Sequence, residues 1–86
     1  MYYVYLLKSR TKQFKNLYIG YTSDLKRRIE EHNSGLTYTT RQLLPVELIY
    51  YEAYKTKEDA KKRERALKWH GKALGQLKRR LEKSLM

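Results

Sequence analysis

Residues 17–33 read LYIGYTSDLKRRIEEHN, and this stretch decides the fold because a strand pattern passes directly into a helix pattern. Leu17 to Tyr21 is rich in aromatic and aliphatic residues, which is typical of a β-strand. From Asp24 to about Asn33, apolar residues recur at the spacing of one helix face, which predicts an α-helix. A strand followed this closely by a helix indicates a small domain that mixes the two.

Outward from this stretch, the sequence predicts two more strands and two more helices. The strands are Tyr2 to Leu7 and Val46 to Tyr54, and the helices run from after Thr56 to about His70 and roughly from Ala73 to Leu85. The order β-β-α-β-α-α predicts one α+β domain over residues 1–86, with a small three-stranded antiparallel sheet flanked by about three helices.

The predicted helix ends follow from capping residues. Thr22 or Ser23 is the expected N-cap of the first helix, and Gly35 lies beyond its end. Thr56 and Asp59 have the spacing of a capping box, which predicts the start of the second helix.

Polar residues fall on the apolar face of the first helix. At about 100° per residue, Leu25, Arg28, Ile29 and His32 share one stripe. Arg28 and His32 therefore point toward the sheet or lie at the edge of that face. A buried guanidinium needs an anion, so Arg28 forms a structural salt bridge, extends to water, or binds a phosphate.

The second helix shows the same anomaly. Glu64 shares a stripe with Ala60, Arg63 and Leu67, so a carboxylate lies among residues expected to face the sheet. Two interpretations are open. Glu64 pairs with Arg28, or Glu64 binds a metal ion while Arg28 binds a phosphate in the same cleft.

Tyrosine accounts for 9 of the 86 residues. If the first two strands form a hairpin, Tyr5 and Tyr18 come close together. Gly20 shares a strand face with Tyr18, and a glycine within a strand indicates the close approach of a ligand or of another element. Most of the tyrosines are expected to serve packing.

Composition excludes several classes of protein. The chain has 20 Lys and Arg against 9 Asp and Glu, a net charge of +11, and it contains no cysteine. This excludes a disulfide scaffold and a zinc finger with thiolate ligands, and no apolar run approaches the ~20 residues of a membrane span. Such basicity favours a polyanion, above all nucleic acid, and a cytoplasmic location is expected.

Five separated elements of the sequence, in the right order, resemble the GIY-YIG nuclease domain, and the resemblance extends over essentially the whole chain. It is closest to the small stand-alone bacterial GIY-YIG proteins, which are similar to the nuclease part of structure-specific endonucleases. The first element departs from the family pattern, because Tyr3 replaces the glycine and Val4 the isoleucine. The elements are Tyr3-Val4-Tyr5, Tyr18-Ile19-Gly20-Tyr21-Thr22, Arg28, His32-Asn33-Ser34-Gly35, and Glu64 within residues 60–68.

The resemblance implies hydrolysis of a nucleic-acid phosphodiester with a single divalent metal, Mg²⁺ or Mn²⁺. Tyr5 and Tyr18 correspond to the two motif tyrosines, one of which is the general base. Arg28 is the arginine for the phosphate, His32 orients or assists a tyrosine, and Glu64 is the metal-binding carboxylate. These residue types suit the chemistry, since guanidinium binds phosphate and Mg²⁺ needs only one or two carboxylates besides the substrate.

Two hypotheses follow from these observations. The first is a metal-dependent endonuclease acting on DNA, including branched, flapped or damaged DNA. The second is a non-catalytic or partner-dependent nucleic-acid-binding module on the same fold, motivated by residues 55–83, which hold 12 basic and 4 acidic residues, a net charge of +8. A basic RNA-binding protein explains the charge but not Glu64.

DNA is favoured over RNA, and a protein partner or targeting subunit is a further possibility. Trp69 is expected to pack against the third helix, with stacking on a base as the alternative. The basic residues expected to contact nucleic acid are Lys26, Arg27, Arg41, Lys68, Lys72, Lys78, Arg79 and Arg80.

Overall fold

The computed structural model describes residues 1–10, 17–35, 44–69 and 71–85. These residues form three strands and three helices in the predicted β-β-α-β-α-α order, which confirms the α+β class. The elements are β1 (Tyr2–Ser9), β2 (Leu17–Thr22), α1 (Leu25–Asn33), β3 (Val46–Tyr54), α2 (Lys57–Trp69) and α3 (Gly71–Arg80).

The three strands form one antiparallel sheet with β1 in the centre, in the order β2-β1-β3. Tyr5 of β1 lies opposite Gly20 of β2 and opposite Tyr51 of β3. Because β1 is covered on both edges and both faces, every side chain from Val4 to Leu7 is buried. The predicted hairpin of the first two strands is confirmed.

A bulge in β3 determines which of its side chains point to each face of the sheet. Leu6 pairs with Tyr50 whereas Leu7 pairs with Leu48, so Ile49 is an extra residue in the ladder. One extra residue reverses the alternation of the strand. The residues after the bulge therefore present Tyr50 to the α2 side and Tyr51 to the opposite side.

The sheet separates two apolar layers. On one face, Val4 and Leu6 pack with α2 and α3 through buried residues that include Leu67 and Leu77. On the other face, Tyr5, Leu7 and Val46 form a smaller cluster against which α1 packs. The site residues contributed by β1, β2 and α1 consequently lie on the face opposite the larger apolar layer.

Two helix starts show how well local capping is predicted. The N-cap of α1 is Asp24, whose Oδ1 accepts a hydrogen bond from Arg27 N at 3.2 Å, so the expectation of Thr22 or Ser23 is wrong. Thr22 Oγ1 instead accepts from Asp24 N at 3.1 Å and shapes the turn before the cap. The cap of α2 is confirmed, because Thr56 Oγ1 accepts from Asp59 N at 3.2 Å.

The bounds of α3 differ from the prediction of Ala73 to Leu85. The helix begins at Gly71 and ends at Arg80. At its end, Leu81 N bonds to the carbonyl oxygens of both Leu77 and Lys78 at 3.1 Å, which tightens the last turn and stops the α-helix. The leucine stripe is nonetheless confirmed, since Leu77 and Leu81 are buried in the core. None of the helices in the described ranges has the length and apolarity that a membrane crossing needs.

Candidate active site

Tyr5 occupies the centre of the site, and Gly20 makes room for it. The Tyr5 side chain is buried, and its ring lies 6.2 Å from that of Tyr18, centroid to centroid. A Cβ on Gly20 would lie 2.5 Å from the Tyr5 hydroxyl oxygen and 2.7 Å from Cζ. The glycine within the strand is therefore explained by a neighbouring side chain rather than by a ligand.

The first helix brings His32 onto this pair of tyrosines. His32 is fully buried, and its Nε2 lies 2.9 Å from the Tyr5 hydroxyl oxygen. Its ring also makes an edge contact with Tyr18, with centroids 4.9 Å apart. The inward orientation expected from the helix periodicity is thus confirmed for His32.

Arg28 lies one helical turn before His32, and its side chain extends from the buried tyrosine and histidine to solvent. The guanidinium hydrogen-bonds the Tyr5 hydroxyl, and its NH1 donates to Glu31 Oε1 at 3.0 Å. One third of the Arg28 side chain remains exposed. Arg28 can therefore contact an anion that approaches from solvent. The Tyr5 cluster is the group formed by Tyr5, Tyr18, Arg28 and His32.

Burial and charge set the protonation of the two central groups. Burial and then the positive charge of Arg28 lower the pKa of His32, so its ring is neutral near pH 7. Burial raises the pKa of Tyr5 to about 12, although the hydrogen bond from Arg28 opposes this. The Tyr5 hydroxyl therefore keeps its proton, and the neutral His32 Nε2 can accept it when the ring proton is on Nδ1.

Glu64 projects from α2 at the border of the site. Its side chain is 18% exposed and its carboxylate lies 3.1 Å from Lys68 Nζ. Its negative charge contributes to the raised pKa of Tyr5, so the carboxylate and the hydroxyl share one electrostatic environment. The sequence left open a pairing of Glu64 with Arg28, but Lys68 pairs with Glu64, and Glu31 pairs with Arg28.

A second polar cluster, which the sequence pattern did not predict, lies on the opposite face of the sheet. Arg63 donates two hydrogen bonds to Glu52, from Nε at 2.9 Å and from NH2 at 3.0 Å. The hydroxyls of Tyr50 and Tyr54 donate to the same carboxylate at 2.6 and 2.5 Å. The only signal in the sequence was the place of Arg63 on the inward stripe of α2. The Glu52 cluster is the group formed by Tyr50, Glu52, Tyr54 and Arg63.

The Glu52 cluster ties β3 to the helix that carries Glu64. Burial by itself raises the pKa of Glu52, but the bonds from Arg63 and the two tyrosines outweigh it and hold that pKa below its ordinary value. The same carboxylate raises the pKa of Arg63. This fixed ion pair sets how α2 rests on the sheet, and thus the position of Glu64 one residue further along.

The basic residues expected to contact nucleic acid are mostly on the surface. Of these, Arg27 lies near Asp24 and Glu31, at 4.0 and 3.9 Å, and Lys78 is partly buried. Arg41 lies outside the described residues. The exposed members are Lys26, Arg27, Lys68, Lys72, Arg79 and Arg80.

Trp69 does not pack against α3, so that expectation is wrong. Its side chain is 77% exposed. Trp69 follows the buried Leu67 by two residues, and a rotation of about 200° turns it away from the core. The structure therefore leaves the large aromatic ring on the outer surface of α2.

An apolar groove lies on the other flank of α1, apart from the Tyr5 cluster. Tyr3, Leu25, Ile29, Leu48 and Tyr51 line it. Tyr3 and Tyr51 make an edge contact there, with ring centroids 5.9 Å apart. None of the five predicted catalytic residues lines this groove.

Glu64 fits a metal ion that takes most of its ligands from water and substrate. Among the residues that the structure describes, no group of three or more His, Cys, Asp or Glu side chains could enclose a metal. Mg²⁺ keeps several waters and binds through one or two carboxylates plus substrate phosphates. A single partly exposed carboxylate suits that chemistry and does not suit zinc or a closed calcium site.

The comparison with protein families settles what this arrangement belongs to. The model of the GIY-YIG catalytic domain matches residues 1–82. The chain belongs to the GIY-YIG family. The resemblance inferred from the five sequence elements is thereby confirmed.

Relatives of this GIY-YIG chain include bacterial proteins that are named only as UPF0213 proteins. One from Streptococcus pneumoniae serotype 4 is 45% identical over 67 residues, which is 77% of this chain and 65% of that protein. One from Streptococcus pyogenes serotype M5 is 48% identical over 59 residues, covering 67% of this chain and 61% of that protein. The chain thus spans less than two thirds of the length of these curated relatives. No solved structure matches it.

Proposed function

We propose that the protein is an endonuclease that hydrolyses phosphodiester bonds of DNA, including branched, flapped or damaged DNA, with one divalent metal, Mg²⁺ or Mn²⁺. The observation that supports this most is the Tyr5 cluster. A proton donor, a neutral proton acceptor and a partly exposed guanidinium meet there, and the charge of Glu64 acts on the Tyr5 hydroxyl.

Proton transfer from the attacking water is assigned to Tyr5 and His32 together. Tyr5 with a pKa of about 12 is not ionised at neutral pH, so it cannot accept a proton unless it gives one up. As the water proton passes to the Tyr5 oxygen, the hydroxyl proton passes to His32 Nε2, 2.9 Å away. The water becomes the nucleophile and His32 ends as imidazolium.

Arg28 and Glu64 are assigned to the phosphate. The exposed part of the Arg28 guanidinium binds a non-bridging oxygen and stabilises the charge that grows there. Glu64 would hold the metal ion, which as a Lewis acid stabilises charge on the leaving oxygen. Lys68 would then release Glu64 and contact the nucleic-acid backbone. The Tyr18 ring packs beside those of Tyr5 and His32.

The test is cleavage of end-labelled single-stranded, duplex, flapped and four-way-junction DNA, and of RNA, with Mg²⁺, Mn²⁺ or chelator. We expect metal-dependent cutting of at least one DNA, abolished in Glu64→Gln with binding retained. Glu58→Gln is the matched control, because Glu58 is an exposed carboxylate on the same helix.

Three outcomes would contradict the proposal. Tight binding without cutting under any metal would make the chain a binding module or a subunit that needs a partner. Cutting that survives chelator and Glu64→Gln would remove the metal and its ligand from the mechanism. Cutting of RNA alone would replace DNA as the substrate.

A further inference from the structure

Trp69 lies on the exposed flank of α2 that begins at Glu64. At about 100° per residue, Lys68 lies about 40° around the helix from Glu64, Arg65 about 100° and Trp69 about 140°, all in one direction. Leu67 lies about 60° in the other direction, in the core. Exposure rises in the same direction, since the side chains of Glu64 and Lys68 are 18% and 40% exposed and Trp69 as a whole residue is 77% exposed.

The sequence around the tryptophan is strongly basic. Between residues 65 and 81 the sequence contains six basic residues and no acidic one. Lys68 precedes Trp69 directly, and Lys72 follows three residues later on α3; both are exposed. An aromatic ring this exposed gains nothing from the core, so its surface is available to a partner that is both anionic and flat.

We propose that Trp69 is a stacking platform for an unpaired base of a nucleic-acid strand whose phosphates lie along Lys68 and Lys72. This rests on the proposed function, which it sharpens by assigning the substrate a single-stranded segment beside the cut. Paired bases in a duplex present only their edges in the grooves, whereas an unpaired base exposes its ring face. A protein partner for Trp69 would have to bring acidic groups to the same flank.

Trp69 is the only tryptophan of the chain, so its fluorescence reports on this flank alone. The experiment titrates the protein in chelator with a 20-nucleotide thymidine strand, with a blunt duplex of the same length, and with heparin. We expect strong quenching by the single strand, weak quenching by the duplex, and little by heparin, which is a polyanion without bases. Quenching by heparin equal to that by the single strand would overturn the proposal.

Variants separate stacking from charge. Trp69→Leu is expected to weaken single-strand binding about 5- to 140-fold, with duplex binding nearly unchanged and Trp69→Phe retaining most of the affinity. Tyr51→Leu is the matched control, since Tyr51 is also an exposed aromatic, but on the opposite face of the sheet. Equal losses in Trp69→Leu and Tyr51→Leu would refute a stacking role.

The outcomes are distinguishable from failure of the nuclease proposal, because binding is measured without metal and without cutting. If the single strand quenches the fluorescence but the protein never cuts, the stacking role of Trp69 is supported and the nuclease proposal is contradicted. A blue shift of the tryptophan emission with protein concentration alone would show that a second copy covers Trp69, and would overturn the platform.

Discussion

The Tyr5 cluster and the Glu52 cluster contain similar side chains on opposite faces of one sheet, yet they differ in which polar groups remain available to a ligand. In the Glu52 cluster, a carboxylate accepts four hydrogen bonds from one arginine and two tyrosines. In the Tyr5 cluster, the acceptor at the centre is a neutral imidazole, and the arginine stays one third exposed.

The difference lies in where the charge is neutralised. Both carboxylate oxygens of Glu52 accept hydrogen bonds from Arg63 and from a tyrosine, so the charge of Arg63 is neutralised by a group that is held within the protein, although the Arg63 side chain is itself 28% exposed. The positive charge of Arg28 is shared with a partly exposed Glu31 and faces solvent, so an incoming phosphate can bind it. Similar residues thus form a structural clamp on one face and a candidate active site on the other.

Replacing each arginine by lysine tests the difference between the two clusters and is expected to have the largest effect. Arg28→Lys removes the planar pair of donors and is expected to lower cleavage about 10²- to 10³-fold. Its stability should change little, because Arg28–Glu31 is a partly exposed pair within one helix. Arg63→Lys loses a hydrogen bond to Glu52 and is expected to cost about 1–3 kcal/mol of unfolding free energy. Single-turnover cleavage and urea unfolding measure the two effects.

Two results would contradict the prediction for the arginine variants. If Arg28→Lys unfolds at much lower urea but cuts like the wild type, Arg28 is a structural residue. If Arg63→Lys loses as much cleavage as Arg28→Lys while its stability is unchanged, the Glu52 cluster belongs to the chemistry.

A smaller effect is expected from adding one methyl group beneath Tyr5. In Gly20→Ala the new Cβ would lie 2.5 Å from the Tyr5 hydroxyl oxygen, so the ring must shift. Overpacking of this kind costs about 1–3 kcal/mol, and the moved hydroxyl should lower cleavage as well. Gly75→Ala is the control, because no atom lies within 4 Å of its added Cβ and an alanine stabilises a helix interior by about 0.5–1 kcal/mol. Urea unfolding and cleavage rates that agree between the two variants would contradict this account.

Periodicity was sufficient to predict the site wherever a regular helix positions the side chain. The stripe on α1 predicted that His32 points inward, and the structure buries it fully. The hairpin predicted that Tyr5 and Tyr18 meet, and their rings lie 6.2 Å apart. These predictions need only the 3.6-residue period and the pairing of adjacent strands.

Features that depart from regular secondary structure could not be predicted from the sequence pattern. The extra residue Ile49 reverses the faces of β3, so a simple alternation cannot show that Glu52 reaches Arg63. Trp69 lies away from the Ala60–Leu67 stripe of α2 and was expected to pack against the third helix, but the structure leaves it 77% exposed. Sequence periodicity alone does not predict the position of a side chain that is determined by a bulge or by a binding partner.

The two clusters should also lose stability in different ranges of pH, which is the smallest effect expected. The pKa of His32 is lowered in the folded state by burial and by Arg28, with Glu31 opposing, so below about pH 6.5 the unfolded chain binds a proton that the native protein does not. Stability therefore falls from about pH 6.5 down to the folded pKa of His32. The cost is about 1.4 kcal/mol for each unit by which that pKa is lowered.

Glu52 acts at lower pH, because its folded pKa lies below the ordinary value of 4.5. Its contribution is present above about pH 4.5 and is lost as the pH falls through the folded pKa. His32→Asn should therefore flatten the unfolding free energy from about pH 6.5 down to the folded pKa of His32, while Glu52→Gln should flatten it only below about pH 4.5. Urea unfolding at half-unit steps of pH measures both slopes. An unchanged slope in His32→Asn would mean that His32 titrates alike in both states, and the neutral imidazole on which the proposed proton transfer depends would lose its support.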